Sequence, residues 1–117
     1  VYKSLNKLDK LFSKYIRLRA KNHCEIGEEY RRFNALQCCH GFGRRKQSTR
    51  YDPRNALAAC FGHHKQMDEN HEMKREIFIK RLGLDQYKAL MVEAETPRKI
   101  DKKLIKMQLI ELLKGME

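Results

Sequence analysis

The sequence predicts a mostly helical α+β fold, in which a small β-hairpin and a following helix are packed by flanking helices. Most of the chain has apolar residues at helical spacing. Two short apolar stretches, 35–40 and 55–60, are instead bounded by turn-forming residues and have the length of strands. A chain of 117 residues fits one domain, divided into an N-terminal helix (1–23), a hairpin-and-helix core (24–72) and C-terminal helices (73–117).

The first helix is predicted over residues 4–21, with apolar side chains at every third or fourth position and Ser4 as a candidate N-cap. Seven lysines and arginines lie between Lys3 and Lys21. They either form a solvated face or follow a phosphate backbone. Residues 21–34 are polar and predict a loop that carries Cys24.

The two predicted strands form a hairpin with a long basic tip, which begins at Gly41 and ends in an Asp52-Pro53 turn. A helix can start at Gly62, and apolar spacing predicts three more, over 73–82, over 84–94 and from Asp101 onward. The apolar stripe of the last helix is either part of the core or a dimer interface.

The chain carries 26 lysines and arginines against 15 acidic residues, a net charge of +11. Such a surface attracts polyanions, above all nucleic acid. No apolar run reaches about 18 residues and no basic helix has a large aromatic face, so we expect no membrane association. The chain starts without a signal peptide, so we expect a cytoplasmic protein. It also starts without Met, which suggests a piece of a longer protein.

Cysteine and histidine are concentrated between residues 36 and 68, which hold three of the four cysteines and three of the five histidines. Without a secretory signal, a reducing compartment is expected, and cysteine mixed with histidine then indicates metal ligation rather than disulfides.

Within this stretch, His40 ends the first strand, Asn55 opens the second and His64 begins the helix. A hairpin followed by a helix can bring the three side chains to one small cavity. Their separations of fifteen and nine residues are the pattern of the HNH, or ββα-metal, nucleases, which this stretch resembles.

Residues 8–83 are more specifically similar to the phage NinG/Rap recombination endonucleases. That family has Gly at the position of Cys39 and Asn at that of His64, so this chain departs from it there. The residues that carry the resemblance are Phe12 to Arg19 leading to Cys24, then Leu36-Gln37, His40-Gly41-Phe42, Arg44, Thr49-Arg50-Tyr51-Asp52, Asn55, Cys60 and His63.

The resemblance implies a metal-dependent DNA endonuclease or nickase that leaves a 5′-phosphate and a 3′-hydroxyl. It also implies recombination intermediates, that is branched DNA, as substrates, and a phage or prophage origin in a bacterial cytoplasm. A junction-resolving enzyme needs two active sites, hence a possible homodimer. No recognition-helix motif is present, so weak base preference is expected.

By the same resemblance, His40 is the general base, with an ordinary pKa that suits proton abstraction. His64 is a ligand of a single Mg²⁺ or Mn²⁺ ion, and Asn55 holds the loop and orients His40. We expect phosphate oxygens to be bound by three arginines, Arg44, Arg45 and Arg50.

The resemblance also implies two further metal ligands, because related sites often have one just before the base histidine and one a helical turn after the second histidine. In this sequence those positions are Cys39 and Asp68, with His71 as a competitor. A thiolate at Cys39 favours zinc or another soft ion over magnesium. These would be catalytic-metal ligands.

Related domains also brace the hairpin with a structural zinc held by two pairs of cysteines. Cys24, Cys60 and His63 fit three of those positions, and no cysteine lies near Gly27 where the fourth is expected. Cys38 or Cys39 could fill the gap. The alternative is a decayed site whose cysteines are buried small side chains.

Four remaining residues receive structural assignments, His23 and His71 at the surface and Phe42 and Tyr51 in the core. Two other functions stay open: a zinc-braced basic DNA-binding module without catalysis, and an HNH nuclease directed at RNA.

Overall fold

Two antiparallel strands and five α-helices make up residues 6–116, the part of the chain that the computed structural model describes. The predicted mostly helical α+β fold is confirmed. The elements are α1 (Lys7–Arg19), β1 (Leu36–His40), β2 (Ala56–Cys60), α2 (Phe61–Glu69), α3 (His71–Leu82), α4 (Leu84–Glu95) and α5 (Lys102–Lys114), with 3₁₀ turns at Phe33–Ala35 and Pro53–Asn55.

Helix α1 begins at Lys7 because Asn6, rather than Ser4, is its N-cap; Ser4 lies outside the described residues. The Asn6 side chain accepts a hydrogen bond from the backbone N of Asp9 at 2.7 Å, and the Asp9 carboxylate accepts one from the backbone N of Asn6 at 3.4 Å. This reciprocal pair satisfies two amide groups that a helix start otherwise leaves without partners.

The loop after α1 is folded on itself rather than extended. Helix α1 ends at Arg19, two residues before the predicted boundary, and Lys21 and Asn22 have positive φ angles of 51° and 63°. The backbone N of Cys24 donates to the carbonyl of Glu29 at 2.9 Å, next to an antiparallel bridge between residues 23 and 30. The predicted loop therefore exists, and it places Glu29 close to Cys24.

The hairpin occupies the centre of the molecule. Its strands pair from Leu36 opposite Cys60 to His40 opposite Ala56. Each strand starts one residue later than predicted, because Ala35 and Asn55 each end a 3₁₀ turn. All five residues of β2 are buried, since α1 and α2 both pack against the hairpin.

The C-terminal helices follow the prediction within two residues. Helix α2 starts at Phe61, one residue before the predicted Gly62, and α3 ends at Gly83, whose φ of +85° suits glycine. Helix α5 packs on α1 and buries Leu109, so its apolar stripe belongs at least partly to the core. None of the helices between residues 6 and 116 is both long enough and apolar enough to cross a membrane.

One buried ion pair joins α1 to the loop at the hairpin tip. The carboxylate of Asp9, 5% exposed, accepts hydrogen bonds from the guanidinium of Arg50, with Nε to Oδ1 at 2.9 Å. Burial alone would raise the pKa of Asp9, but the hydrogen bonds and charge of Arg50 outweigh it and lower the pKa. Helix and loop are therefore fastened by a charge-assisted contact.

We expect Asp9→Asn to lower the free energy of unfolding at pH 7 by about 1–2 kcal/mol. A carboxyl with a depressed folded pKa stabilises above its unfolded pKa and loses that contribution as the pH falls through the folded pKa. The difference between wild type and variant should therefore shrink between about pH 5 and pH 2, as measured by urea unfolding. The control is Glu69→Gln, whose side chain is 65% exposed. A difference that stays constant across this pH range would contradict the role assigned to the pair.

Candidate active site and metal-binding groups

A cleft of about 900 Å³ lies between α1, β1 and α2. The loop between the two strands, residues 41–55 and here called the tip loop, forms part of its wall. His40 and His64, two of the three residues of the predicted active centre, line it. Asn55 is fully buried and is not among its lining residues. The remaining side chains that matter for its chemistry are Asp9, Arg17, Gln37, Cys38, Arg44, Phe61, Lys65, Asp68 and Lys74.

His40 is held at the end of β1 with a defined ring orientation. Its Nε2 lies 3.0 Å from the carbonyl oxygen of Arg50, and its ring centroid lies 5.6 Å from that of Phe12. Because a carbonyl oxygen only accepts, Nε2 carries the proton and Nδ1 of the neutral ring keeps its lone pair. Burial lowers the pKa of His40 to about 4, which the Arg50 carbonyl partly opposes. The expected ordinary pKa of this histidine is therefore wrong, because the ring is largely buried, and the ring is neutral at pH 7.

Asn55 holds the tip loop through three side-chain hydrogen bonds. Its Oδ1 accepts from the backbone N of Phe42 at 2.7 Å, and its Nδ2 donates to the carbonyls of Phe42 at 2.9 Å and Thr49 at 3.1 Å. The next carbonyl after Thr49 is that of Arg50, the partner of His40. Asn55 thus orients His40 indirectly, through the backbone of the loop.

Cys39, His64 and Asp68 form a first group, here called the cleft group, whose ligand atoms all lie within 4.8 Å of one another. The Nε2 of His64 is 3.6 Å from Oδ2 of Asp68, and its Nδ1 is 2.8 Å from Oε1 of Gln37, which fixes the ring. The three predicted ligands therefore lie together. His71, their competitor, is exposed at the start of α3 and is not a member.

The donor set of the cleft group is one sulfur, one nitrogen and one oxygen. Three protein ligands leave coordination positions open, as in catalytic sites. A sulfur donor favours zinc or a similar soft ion over magnesium. Burial raises the pKa of the Cys39 thiol to about 11, opposed in part by Lys74, so metal binding would release its proton.

A second group, the loop group, consists of Cys24, Glu29, Cys60 and His63, with ligand atoms again within 4.8 Å of one another. The Nδ1 of His63 lies 3.4 Å from Sγ of Cys24 and 3.2 Å from Sγ of Cys60. Ligands at ordinary zinc distances in a tetrahedron are separated by about 3.5 Å. The four donors therefore fit a closed zinc site with two sulfurs, one nitrogen and one oxygen.

Glu29 occupies the fourth position, for which Cys38 and Cys39 were the candidates in the sequence. Its Oε1 is buried without a hydrogen bond, although it lies 3.4 Å from Nδ1 of His63. A Cβ on Gly27 would lie 2.5 Å from both Glu29 Oε2 and the His63 ring, so the loop passes too close for a side chain there. A buried oxygen without a partner is what a bound cation would satisfy.

The expectation that Cys38 completes the brace is wrong for this structure. Side chains alternate along β1, so Cys38 lies on the same side as His40 and lines the cleft with Arg17. Cys39, on the other side, belongs to the cleft group. The four cysteines are free thiols, so no disulfide competes with metal binding.

The three arginines predicted to bind phosphate have separate positions. Arg44 lines the cleft. The side chain of Arg50 instead pairs with Asp9 and is only 19% exposed. This ion pair takes the place of the predicted contact with phosphate. Arg45 is exposed outside the cleft, beside Arg98 and Lys99.

The cleft is also lined by three residues that belong to no predicted motif, Phe61, Lys65 and Lys74. The spacing of Phe61, His64 and Lys65, three and four residues apart, would have placed them on one helical face.

Among the structural assignments, Tyr51 is buried, and His23 and His71 are exposed, as predicted. Phe42 is only half-buried, and its ring centroid lies 5.6 Å from that of Tyr87 at the edge of the core.

Comparison of the chain with models of protein families, with curated proteins and with solved structures gives no match. The resemblance to the NinG/Rap endonucleases accordingly rests on the residues quoted above. Function is inferred below from the geometry of the cleft together with that resemblance.

We expect the purified protein to hold one zinc ion in the loop group. Cys24→Ala should then carry about one zinc less per chain and unfold at a lower temperature, because it loses a ligand of a metal that binds only the folded chain. Cys38→Ala is the matched control and should keep the wild-type zinc content. Elemental analysis by mass spectrometry, with thermal unfolding before and after chelation, measures both. Equal zinc content in the two variants would contradict the assignment.

Proposed function

We propose that this protein is a divalent-metal-dependent endonuclease or nickase that hydrolyses phosphodiester bonds in DNA. The observation that carries the proposal is the cleft itself. The cleft is lined by the oriented imidazole of His40, whose neutral ring keeps a lone pair on Nδ1, and by two donors of the cleft group, His64 and Asp68. A base and a metal-binding group in one cleft are the parts that metal-assisted hydrolysis needs.

In the proposed reaction, Nδ1 of His40 accepts a proton from water as the water oxygen forms a bond to phosphorus. The bond from phosphorus to the 3′ oxygen breaks, and the leaving oxygen takes up a proton from solvent, so the products are a 5′-phosphate and a 3′-hydroxyl. The Arg50 carbonyl keeps the imidazole in the required tautomer and stabilises its protonated form. A divalent ion bound by the cleft group would supply positive charge to the phosphate and the leaving oxygen.

The charge of the cleft supports a polyanionic substrate. Four cations line it, Arg17, Arg44, Lys65 and Lys74. Of its two acids, Asp9 is neutralised by Arg50, and Asp68 belongs to the cleft group. With a divalent ion on Asp68, a phosphate in the cleft would meet these positive groups without an opposing free carboxylate among the described residues that line it.

A second basic surface lies outside the cleft and supports an extended contact with DNA. It comprises six exposed or half-exposed cations around two adjoining depressions: Arg45, Lys46, Arg98, Lys99, Lys102 and Lys103. Glu95 pairs with Lys46, and Asp101 caps α5. The excess of positive charge fits a phosphate backbone.

The second candidate function is a zinc-braced DNA-binding module without catalysis. The loop group and the basic surface support it equally well, whereas the oriented His40 and the cleft group favour the nuclease. Branched DNA, a homodimer and a bacterial cytoplasm remain predictions from the resemblance.

We expect the wild-type protein to nick plasmid DNA with Mn²⁺, Mg²⁺ or Zn²⁺ and to lose this activity in EDTA. His40→Ala should reduce the rate by a factor of about 100 or more, because the general base is removed, while DNA binding is kept. The control is His23→Ala, an exposed histidine outside the cleft. Equal activity of His40→Ala and wild type would contradict the role of His40 as general base. DNA binding without cleavage in any divalent ion would favour the binding module.

Neutralising part of the basic surface should weaken the salt dependence of DNA binding. For the double variant Lys99→Gln/Lys102→Gln, the slope of log K against log salt should become shallower by about 2, since each lost phosphate contact accounts for about 0.9. Fluorescence anisotropy on a linear duplex, in the His40→Ala background, measures this slope. Lys80→Gln/Lys88→Gln, two exposed lysines elsewhere, is the matched control. Identical slopes for the two double variants would show that DNA does not use this surface.

A further inference from the structure

Helix α2 presents a single stripe of side chains to the cleft. Phe61, His64, Lys65 and Asp68 all line it, and their spacing of three, four and seven residues places them on one helical face. Met67, on another face, is fully buried. His64 and Asp68 belong to the cleft group and Lys65 is a cation for phosphate, so three of the four already have a role in the proposed reaction.

Phe61 is the remaining member of the stripe, and it is the most exposed phenylalanine of the described residues. Its side chain is 61% exposed, whereas Phe12 and Phe78 are each 1% exposed. A single exposed apolar residue needs no explanation by itself. The position of Phe61 matters because it lies in a cleft lined by cations, three residues or about 4.5 Å along the helix axis from His64.

Nucleic-acid bases are the ligands that such a ring fits. Neighbouring bases in a stack are separated by about 3.4 Å, which is comparable to the axial rise of about 4.5 Å between Phe61 and His64. Aromatic rings beside basic side chains bind unpaired bases by stacking, and apolar wedges enter between base pairs that are opened or kinked.

We propose that Phe61 contacts the base next to the scissile phosphate and stacks on it when that base is unpaired. The inference rests on the proposed function, and it adds a substrate preference. DNA with an unpaired base at the cleavage position binds more tightly than closed duplex of the same sequence. Lys65 and Arg44 would hold the phosphates on either side, with no contact to base edges and hence little sequence preference.

The test measures binding in the His40→Ala background, so that cleavage does not interfere. The two DNAs are a closed duplex and the same duplex with a short bulge that contains 2-aminopurine. Phe61→Ala should lower the affinity for the bulged DNA about tenfold, leave that for the closed duplex within about twofold, and abolish the quenching of 2-aminopurine on binding. Phe61→Tyr should retain both affinity and quenching.

Tyr30→Ala is the matched control, because Tyr30 is 62% exposed and does not line the cleft. It should behave as the parent protein does. Thermal unfolding of all variants checks the fold. Substitution of Phe61 should not change the unfolding temperature, because its side chain is exposed. Equal losses on both DNAs, or unchanged affinity and quenching in Phe61→Ala, would overturn the inference.

The inference and the proposed function can fail separately. Plasmid nicking by the wild type, with no effect of Phe61→Ala on bulged DNA, keeps the nuclease and removes the role of Phe61. Quenching that depends on Phe61, with no cleavage in any divalent ion, keeps base stacking and removes the nuclease. A wild-type protein that neither nicks plasmid nor binds either DNA overturns both.

Discussion

The hydrogen bonds of the buried Asn55 side chain are the constraint on which the cleft depends. The hairpin strands have five residues each, but the loop between them runs from residue 41 to 55. A loop of this length must be fixed by contacts that outweigh its conformational entropy. The Asn55 amide satisfies both backbone groups of Phe42 and the carbonyl of Thr49. A Cβ on Gly41 would lie only 3.0 Å from Asn55 Oδ1, so the loop is packed directly onto this side chain.

The two faces of β1 explain why the adjacent residues Cys39 and His40 have different surroundings. Because successive side chains point to opposite faces of a strand, His40 contacts Phe12 of α1 while Cys39 joins His64 of α2. Small residues of β2, three of them alanine, are buried under helices from both sides. A slip of one residue in register would exchange these positions and separate the proposed base from the proposed metal donors.

The residues that sequence reasoning placed correctly are those whose relation is local. His64 and Asp68 are four apart on one helix, and Cys39 precedes the predicted base. Glu29 was missed because it reaches His63 only after the loop closes upon itself, a long-range event without a spacing pattern. The pairing of Asp9 with Arg50 spans 41 residues, and no property of Arg50 alone distinguishes a residue that binds phosphate from one that binds a carboxylate. The nature and number of the elements were predictable, because periodicity and turn residues determine them locally.

His63 and His64 show how the two metal-binding groups are kept apart. A helix of 3.6 residues per turn rotates about 100° per residue, so these neighbours point to different groups. The loop group has four donors with two buried sulfurs, the mark of a structural site, whereas the cleft group has three donors and an exposed carboxylate. A zinc ion in the loop group would fix His63, and with it the rotation of α2 about its axis. Because His64 and Phe61 are on the same helix, the proposed structural metal would also position the side chains that α2 presents to the cleft.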